Sequence, residues 1–424
     1  EVPSNGWFGS GNPRQDNVEI KPFTVDIPED TLMDLKARLT YSRFGHEVLE
    51  DENSFVYGCN VNYLKEVQEY WLNKFDWRKQ EDILNSWPQF TTEIEGIDVH
   101  FYHVKPDENK YKKILPLLIV HGWPGCVFEF YKIIPMLTDP AAHNIGNGDF
   151  AFEVIAPSIP GFGFSTQPKK KGFSQLAAAR VFKKLMERLG HKKYYLQGGD
   201  WGAIITNYFA KVYPESVLGL HINMLPLIPT NPKTLLYMIA GFIYPTALFA
   251  HKAHQKYNPL QNFIELTKEA GYFLIQATKP DTVGTALNDS PIGMAAYILE
   301  KFSAWTDPHN KKLADGGLTK KFTLDELLTV ITIYWTQGNI VSSQRFYKEY
   351  TRDKHLIALE SMYQSVPTGH VQSAKEIYDK EPAEVLSTMY NLKSQVVMQE
   401  GGHFAAFEEP QFIANDLFKF VSSL

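Results

Sequence analysis

The sequence predicts an α/β protein: a mostly parallel, doubly wound sheet with an N-terminal covering arm and an inserted helical cap. Three observations carry that reading. Short continuous apolar runs, the mark of strands buried on both faces, recur at Leu115–Val120 and Phe152–Ala156, and a shorter one at Tyr194–Leu196. Helical stretches separate them, and strands alternating with helices build a parallel sheet. After Leu225 the strand signal stops, and the core resumes only after Val366-Pro367-Thr368-Gly369, with Ser394–Met398 as a strand.

The 424 residues suit one large core carrying insertions. An apolar fraction of 44% and a charged fraction of 21% are ordinary for a folded globular chain. A net charge of −6 gives no reason to expect a nucleic-acid partner, and Lys169-Lys170-Lys171 beside Gly172 reads as a solvated loop. Cys59 and Cys126 lie far apart and form no metal spacing. They read as reduced, buried thiols of a cytosol-facing protein.

Residues 1–90 form the arm and its helices. Leu32, Leu35 and Leu39 share one face of a helix over Thr31–Thr40, after Pro28. Tyr63, Leu64, Val67, Tyr70, Trp71 and Phe75 set a helical rhythm that predicts two packed helices over Val61–Leu84. Residues 91–225 are the first part of the core. Thr91–Val104 alternates around Glu95-Gly96, a hairpin signal. Ser174 is placed to cap a helix that runs to Arg188 and ends at Gly190, and Val217–Met224 is a further strand. Residues 226–352 are the cap, and 353–424 the second part of the core, closing with a helix over Glu409–Val421. Thr234–Ala250 is uncharged and at the lower limit for a membrane span, but Pro245 interrupts it. It is expected to be an apolar helix pair lining a pocket, with membrane contact by a lid as the alternative.

The chemistry centres on Gly198-Gly199-Asp200-Trp201-Gly202. A strand, then Gly-x-nucleophile-x-Gly, then a helix is the nucleophile elbow of α/β-hydrolases. The turn lifts one side chain to the carboxyl edge of the sheet, at a helix N-terminus that favours an anion. Here that residue is aspartate. Serine alkylated by an epoxide or a halide would be a dead-end ether, whereas a carboxylate gives an ester that water can cleave. A carboxyl pKa near ~3.9 also leaves it ionised without a base. Asp200 therefore points to a substrate with a strained or halogenated carbon.

An elbow predicts its partners in chain order: nucleophile, acid, histidine. His403 follows the last strand, in Gln399-Glu400-Gly401-Gly402-His403. Glu376 follows Pro367-Thr368-Gly369 in the right place for the acid, with Asp379 and Glu384 as nearby rivals. His121-Gly122-Trp123-Pro124-Gly125 directly follows a buried strand, where this fold draws one oxyanion-hole N–H; the other comes from the residue after the nucleophile. Those backbone donors fall on Trp123 and Trp201, and each is worth roughly 3–4 kcal/mol in serine enzymes. Pro160-Gly161-Phe162-Gly163-Phe164-Ser165 lacks the third glycine and the helix start of a dinucleotide site, and reads as a packed loop edging the pocket.

Taken together, HGWPG, PSIPGFGFS, QGGDWG, TKPDTVGTALNDSP, SSQRFYKE and GGHFAAFEEP make the chain resemble the microsomal branch of the epoxide hydrolases over nearly its whole length. The resemblance implies Asp200 as nucleophile, His403 as base and Glu376 as the acid orienting it. It also implies that two cap tyrosines, Tyr272 and Tyr347, donate to the epoxide oxygen. Chemistry asks for such donors, because ring opening creates an alkoxide and a phenol near pKa ~10 stays protonated at pH 7. Among 22 tyrosines, the resemblance is what selects these two. No metal or organic cofactor is implied. The sequence resembles insect members whose substrate is juvenile hormone, an epoxide and methyl ester of a terpenoid acid. Members of this branch carry an N-terminal membrane anchor, and this sequence opens on Glu1. The resemblance thus implies an endoplasmic reticulum protein with a cytosolic catalytic domain and an anchor that is not in this sequence. A haloalkane dehalogenase would need halide-binding N–H donors in place of the tyrosines, and a carrier for an apolar hormone would need no retained triad.

Overall fold

In the computed structural model the described residues are 3–146, 148–225, 227–378 and 380–424. The strands are β1 (Lys21–Pro22), β2 (Gln89–Ile94), β3 (Ile97–Val104), β4 (Lys113–Val120) and β5 (Phe150–Pro157). After them come β6 (Tyr194–Gly198), β7 (Val217–Ile222), β8 (Gln364–Ser373) and β9 (Tyr390–Met398). They make one sheet in the order β1-β2-β3-β5-β4-β6-β7-β8-β9. From β5 to β9 every neighbour is parallel, while β1, β2 and β3 join antiparallel at one edge.

Strand β4 shows why a core strand reads as an unbroken apolar run. Leu117 and Ile119 pack with Ile133, Ile134, Leu137 and Leu417 on one face. Leu118 and Val120 pack with Phe182, Leu185, Ile205 and Phe209 on the other. Alternate side chains thus enter two separate cores, so no position from Ile114 to Val120 is polar.

The arm supplies the helices α1 (Glu29–Thr40), α2 (Val61–Asn73) and α3 (Trp77–Leu84), as the periodicity predicts. The core adds α4 (Ile133–Thr138), α5 (Gln175–Arg188) and α6 (Trp201–Val212). Ser174 stands at the N-cap of α5, but its hydroxyl bonds Asp353 Oδ2 at 2.5 Å instead of capping the helix. Between β7 and β8 lie α7 (Pro232–Ile243), α8 (Pro245–Leu248), α9 (Pro259–Glu269), α10 (Gly271–Thr278) and α11 (Pro280–Asp289). Then come α12 (Pro291–Thr306), α13 (Leu324–Thr336), α14 (Asn339–Arg352) and α15 (Leu356–Ser361). Several open on proline, which has no N–H to leave unpaired in a first turn. Strands β8 and β9 flank α16 (Ala383–Leu386), and α17 (Ala405–Glu408) and α18 (Pro410–Ser422) close the chain.

The helix pair expected within Thr234–Ala250 is present as α7 and α8, but it does not line a pocket with its apolar side chains. Leu235, Leu236, Ile239, Phe242, Ile243 and Tyr244 are exposed. Only Thr234 and Gly241 of α7 are buried, so the helix turns its narrow, small-residue face inward. Among the described residues no helix is long and apolar enough to cross a membrane. Cys59 and Cys126 are free thiols; Cys126 is buried and Cys59 half-buried.

Candidate active site

Strand β6 runs straight into α6, and Asp200 sits between them at φ 50° and ψ −127°. A non-glycine residue pays strain to hold such a backbone, which is typical of a residue placed for chemistry. Bare backbone on both sides makes the placement possible. A Cβ on Gly202 would lie 1.9 Å from the Val120 carbonyl oxygen, and one on Gly122 would lie 2.2 Å from Asp200 Oδ1. Both loops therefore close over the nucleophile at distances that only glycine permits.

The Trp123 N–H donates to Asp200 Oδ1 at 2.7 Å. The Trp201 amide stands at the first position of α6, directly after Asp200, and makes no bond to the carboxylate in this structure. His121 secures the donor loop. Its Nδ1 donates to the Gly122 carbonyl at 3.1 Å, and its Nε2 accepts from the Ile159 N–H at 3.0 Å. Burial pushes its pKa down to about 4, which keeps the ring neutral as those two bonds require. The Pro160–Ser165 loop packs behind it, with Phe162 edge-on to the His121 ring.

His403 Nε2 lies 3.1 Å from Asp200 Oδ2, and its Nδ1 bonds Glu376 Oε2. The other Glu376 oxygen accepts from the Ile377 and Tyr378 N–H groups at 2.7 and 3.0 Å. Of the rival acids, Glu384 instead accepts from the Ala250 amide, and Asp379 lies outside the described residues. Burial alone would lower the His403 pKa, but the charges of Glu376 and Asp200 outweigh it and hold the imidazole well above its ordinary value. Two features absent from the sequence reading hold its loop in place. The His403 N–H donates to the Trp305 carbonyl at 3.0 Å, and the Glu408 carboxyl accepts from Gly402 and Phe404 N–H at 2.7 and 2.9 Å.

Tyr272, on α10, and Tyr347, on α14, meet over the nucleophile. The Tyr272 ring stacks on Trp123 with centroids 5.5 Å apart, and Tyr347 lies edge-on to Trp201 at 4.6 Å. Burial, then neighbouring negative charge including that of Asp200, raises both phenol pKa values and keeps them protonated. The Tyr347 hydroxyl is buried beside that of Tyr272, so the two phenol donors stand together. Tyr378 is a third phenol in the cluster, half-buried with its hydroxyl enclosed, its ring 6.0 Å from that of His403. Nothing local in the sequence marks it; only its closeness to Glu376 in the chain could have done so.

The arrangement is a carboxylate at the elbow, an imidazole held by an acid, a backbone donor and two phenols packed among aromatic rings. Residues 20–130 match the model described as epoxide hydrolase N terminus, and residues 116–410 the alpha/beta hydrolase fold. "Epoxide hydrolase 1" of Sus scrofa is 47% identical over 429 residues, covering 99% of this chain and 93% of that protein. The chain belongs to the epoxide hydrolase family. "Juvenile hormone epoxide hydrolase 1" of Ctenocephalides felis is 40% identical, covering 99% of this chain and 89% of its own. The crystal structure of juvenile hormone epoxide hydrolase from the silkworm Bombyx mori superposes with a TM-score of 0.92 at 37% identity, covering 100% of this chain and 99% of that one. Membership in the epoxide hydrolases displaces the haloalkane dehalogenase alternative, and the complete triad geometry argues against a silent carrier.

Proposed function

We propose that this epoxide hydrolase opens juvenile hormone to its diol through a covalent ester on Asp200. The observation that carries the reading is Asp200 itself, an ionisable nucleophile set between the Trp123 amide and His403 and facing two protonated phenols. Asp200 attacks an epoxide carbon while Tyr272 and Tyr347 donate to the oxygen, and the C–O bond breaks to leave an alkyl ester. Ester formation removes the Asp200 charge, one of the causes holding His403 protonated, so the imidazole gives up its proton more readily and is neutral when a base is needed. His403, oriented by Glu376, then takes a proton from water, and the Trp123 and Trp201 amides hold the oxyanion.

The insect relatives support a terpenoid epoxide, and Trp123, Trp201, Trp305 and Phe273, packed around Tyr272 and Tyr347, make the surroundings aromatic. A wider range of apolar epoxides is the second reading, favoured by the higher identity to Epoxide hydrolase 1 of Sus scrofa. The microsomal resemblance supports a place at the endoplasmic reticulum membrane with the catalytic domain in the cytosol, which fractionation of cells expressing the full-length protein tests.

The mechanism is tested by mass spectrometry of the His403→Gln variant mixed with juvenile hormone, beside wild type assayed for diol. An ester on Asp200 in the variant, with diol from wild type, is expected. Diol without any trapped adduct would mean direct attack by water and would remove Asp200 as the nucleophile. Turnover of a simple epoxide with juvenile hormone untouched would favour the wider substrate range.

A further inference from the structure

Glu129 lies on the short turn Val127–Phe130, just past the Trp123 donor loop, and takes no part in the chemistry above. It is buried, and it lines the same small cavity as Asp200. A Cβ on Gly125 would lie 1.2 Å from Glu129 Oε1, so the carboxyl occupies the space that any other residue at position 125 would fill. It reaches a small cavity of about 20 Å³ whose walls include Asp200, His403, Gln197 and Asn223. A water needs roughly 10–15 Å³ and two to four polar partners, so the cavity suits one water molecule. Glu376 and Glu408, the buried carboxyls that bond the histidine or its loop, are tied to backbone amides, whereas Glu129 borders the space shared by Asp200 and His403.

We propose that Glu129 positions, together with His403, the water that hydrolyses the Asp200 ester; the inference rests on the ester mechanism above. The water gives one hydrogen bond to His403 Nε2 and the other to a Glu129 carboxyl oxygen, which turns a lone pair toward Asp200 Cγ. Its oxygen bonds to Cγ as its proton passes to His403. The bond from Cγ to the substrate oxygen then breaks, and that oxygen takes the proton from His403 to leave as the diol. Burial, then the charges of Asp200 and Glu408, against the opposing pull of His403 and the Cys126 amide, pushes the Glu129 pKa up to about 8. The rise favours the uncharged carboxyl beside Asp200.

The experiment separates the two steps in full-length enzyme with styrene oxide. Tryptophan fluorescence in stopped flow follows ester formation, and acid quench with intact mass follows ester loss. Glu129→Leu is expected to form the ester at the wild-type rate and hydrolyse it about 10²-fold more slowly, so that the ester accumulates. Glu129→Gln keeps an acceptor oxygen and is expected to recover most of the hydrolysis rate. Gly125→Ala, which displaces the carboxyl without altering it, should reproduce the leucine defect and serves where Glu129→Leu fails to fold. Equal losses in both steps, or equal behaviour of leucine and glutamine variants, would overturn the proposal in favour of a structural role. Absence of any ester in wild type would overturn the aspartyl-ester mechanism, and this inference with it.

Discussion

His403 shows how few atoms decide the chemistry. Glu376 bonds its Nδ1, which leaves Nε2 for Asp200 or water, and the Glu376 charge is the largest cause raising the imidazole pKa. Replacing Glu376 by glutamine keeps the shape and removes the charge. Turnover is expected to fall by about 10²–10⁴, chiefly in ester hydrolysis, as read by single-turnover kinetics. The imidazole should also titrate at lower pH in the variant, which NMR of the ring protons would register. A histidine with a raised folded pKa contributes stability that is fully present below its unfolded pKa of about 6.5 and is lost as pH rises through the folded value. Urea titrations should therefore show wild type exceeding Glu376→Gln most at low pH, with the gap closing upward; a constant gap would mean the charge does not act through His403. Gly122→Ala tests the opposing wall. Its Cβ would lie 2.2 Å from Asp200 Oδ1, and loss of ester formation with a lowered melting temperature is expected.

The elements that carry these residues are loops at the carboxyl ends of parallel strands in one half of the sheet: Trp123 after β4, Asp200 after β6, Glu376 after β8 and His403 after β9. That is why the site was legible in the sequence. A strand, a glycine-flanked acid and a helix lie within a few residues, and the order of nucleophile, acid and histidine follows from the order of the strands. Glu376 was less visible than Asp200 because no local pattern marks it, and Tyr272 and Tyr347 became visible only through resemblance. The supports were not visible at all. Glu408 sits on α17 and reaches back to the Gly402 and Phe404 amides, a tie that depends on how the last turn folds. Burial, its first cause, pushes its pKa up to about 8. A carboxyl raised in the fold contributes stability that is present below its unfolded pKa of about 4.3 and is lost as pH climbs through the folded value. Wild type should accordingly lose stability relative to Glu408→Gln between pH 5 and 8 in denaturant titrations. A difference that does not change with pH would show Glu408 already ionised in the fold. The exposed face of α7 was misread for a related reason: apolar content marks a helix that could bury a face, not which face it buries.

At the scale of the molecule, the arm is more than a cover. The β2–β3 turn places Glu95 at φ 53°, an uncommon value for a side-chain-bearing residue, and the arm stabilises it from several sides. Asp16 accepts from the Glu95 and Gly96 N–H groups at 2.7 and 2.9 Å, and the Phe8 N–H donates to the Glu95 carbonyl at 2.8 Å. The Glu95 carboxylate, fully buried, receives Arg180 Nε and Nη2 from α5 at 2.7 and 2.8 Å, and Lys184 at 2.8 Å. Arg180 Nη1 also reaches the Pro3 carbonyl at 3.3 Å. The arm, the antiparallel edge of the sheet and the helix before the elbow thus share one charge cluster. The hairpin was legible from its alternation, but the arm's docking was not, because Arg180 and Glu95 are distant in sequence and neither carries a local signal. Arg180→Ala would leave Glu95 buried against Lys184 alone, and a loss of about 3–5 kcal/mol is expected from urea unfolding. Burial raises the Glu95 pKa, but Arg180 and Lys184 outweigh it and hold the group below its ordinary value. Such a group stabilises above its unfolded pKa and loses that contribution as pH falls through the folded one, so the variant's deficit should shrink in acid. Arg180→Met with Glu95→Leu removes both charges and should regain much of the lost stability. If the double variant is as unstable as Arg180→Ala, the arm is held by packing and the strained turn, and the charge cluster is not its lock.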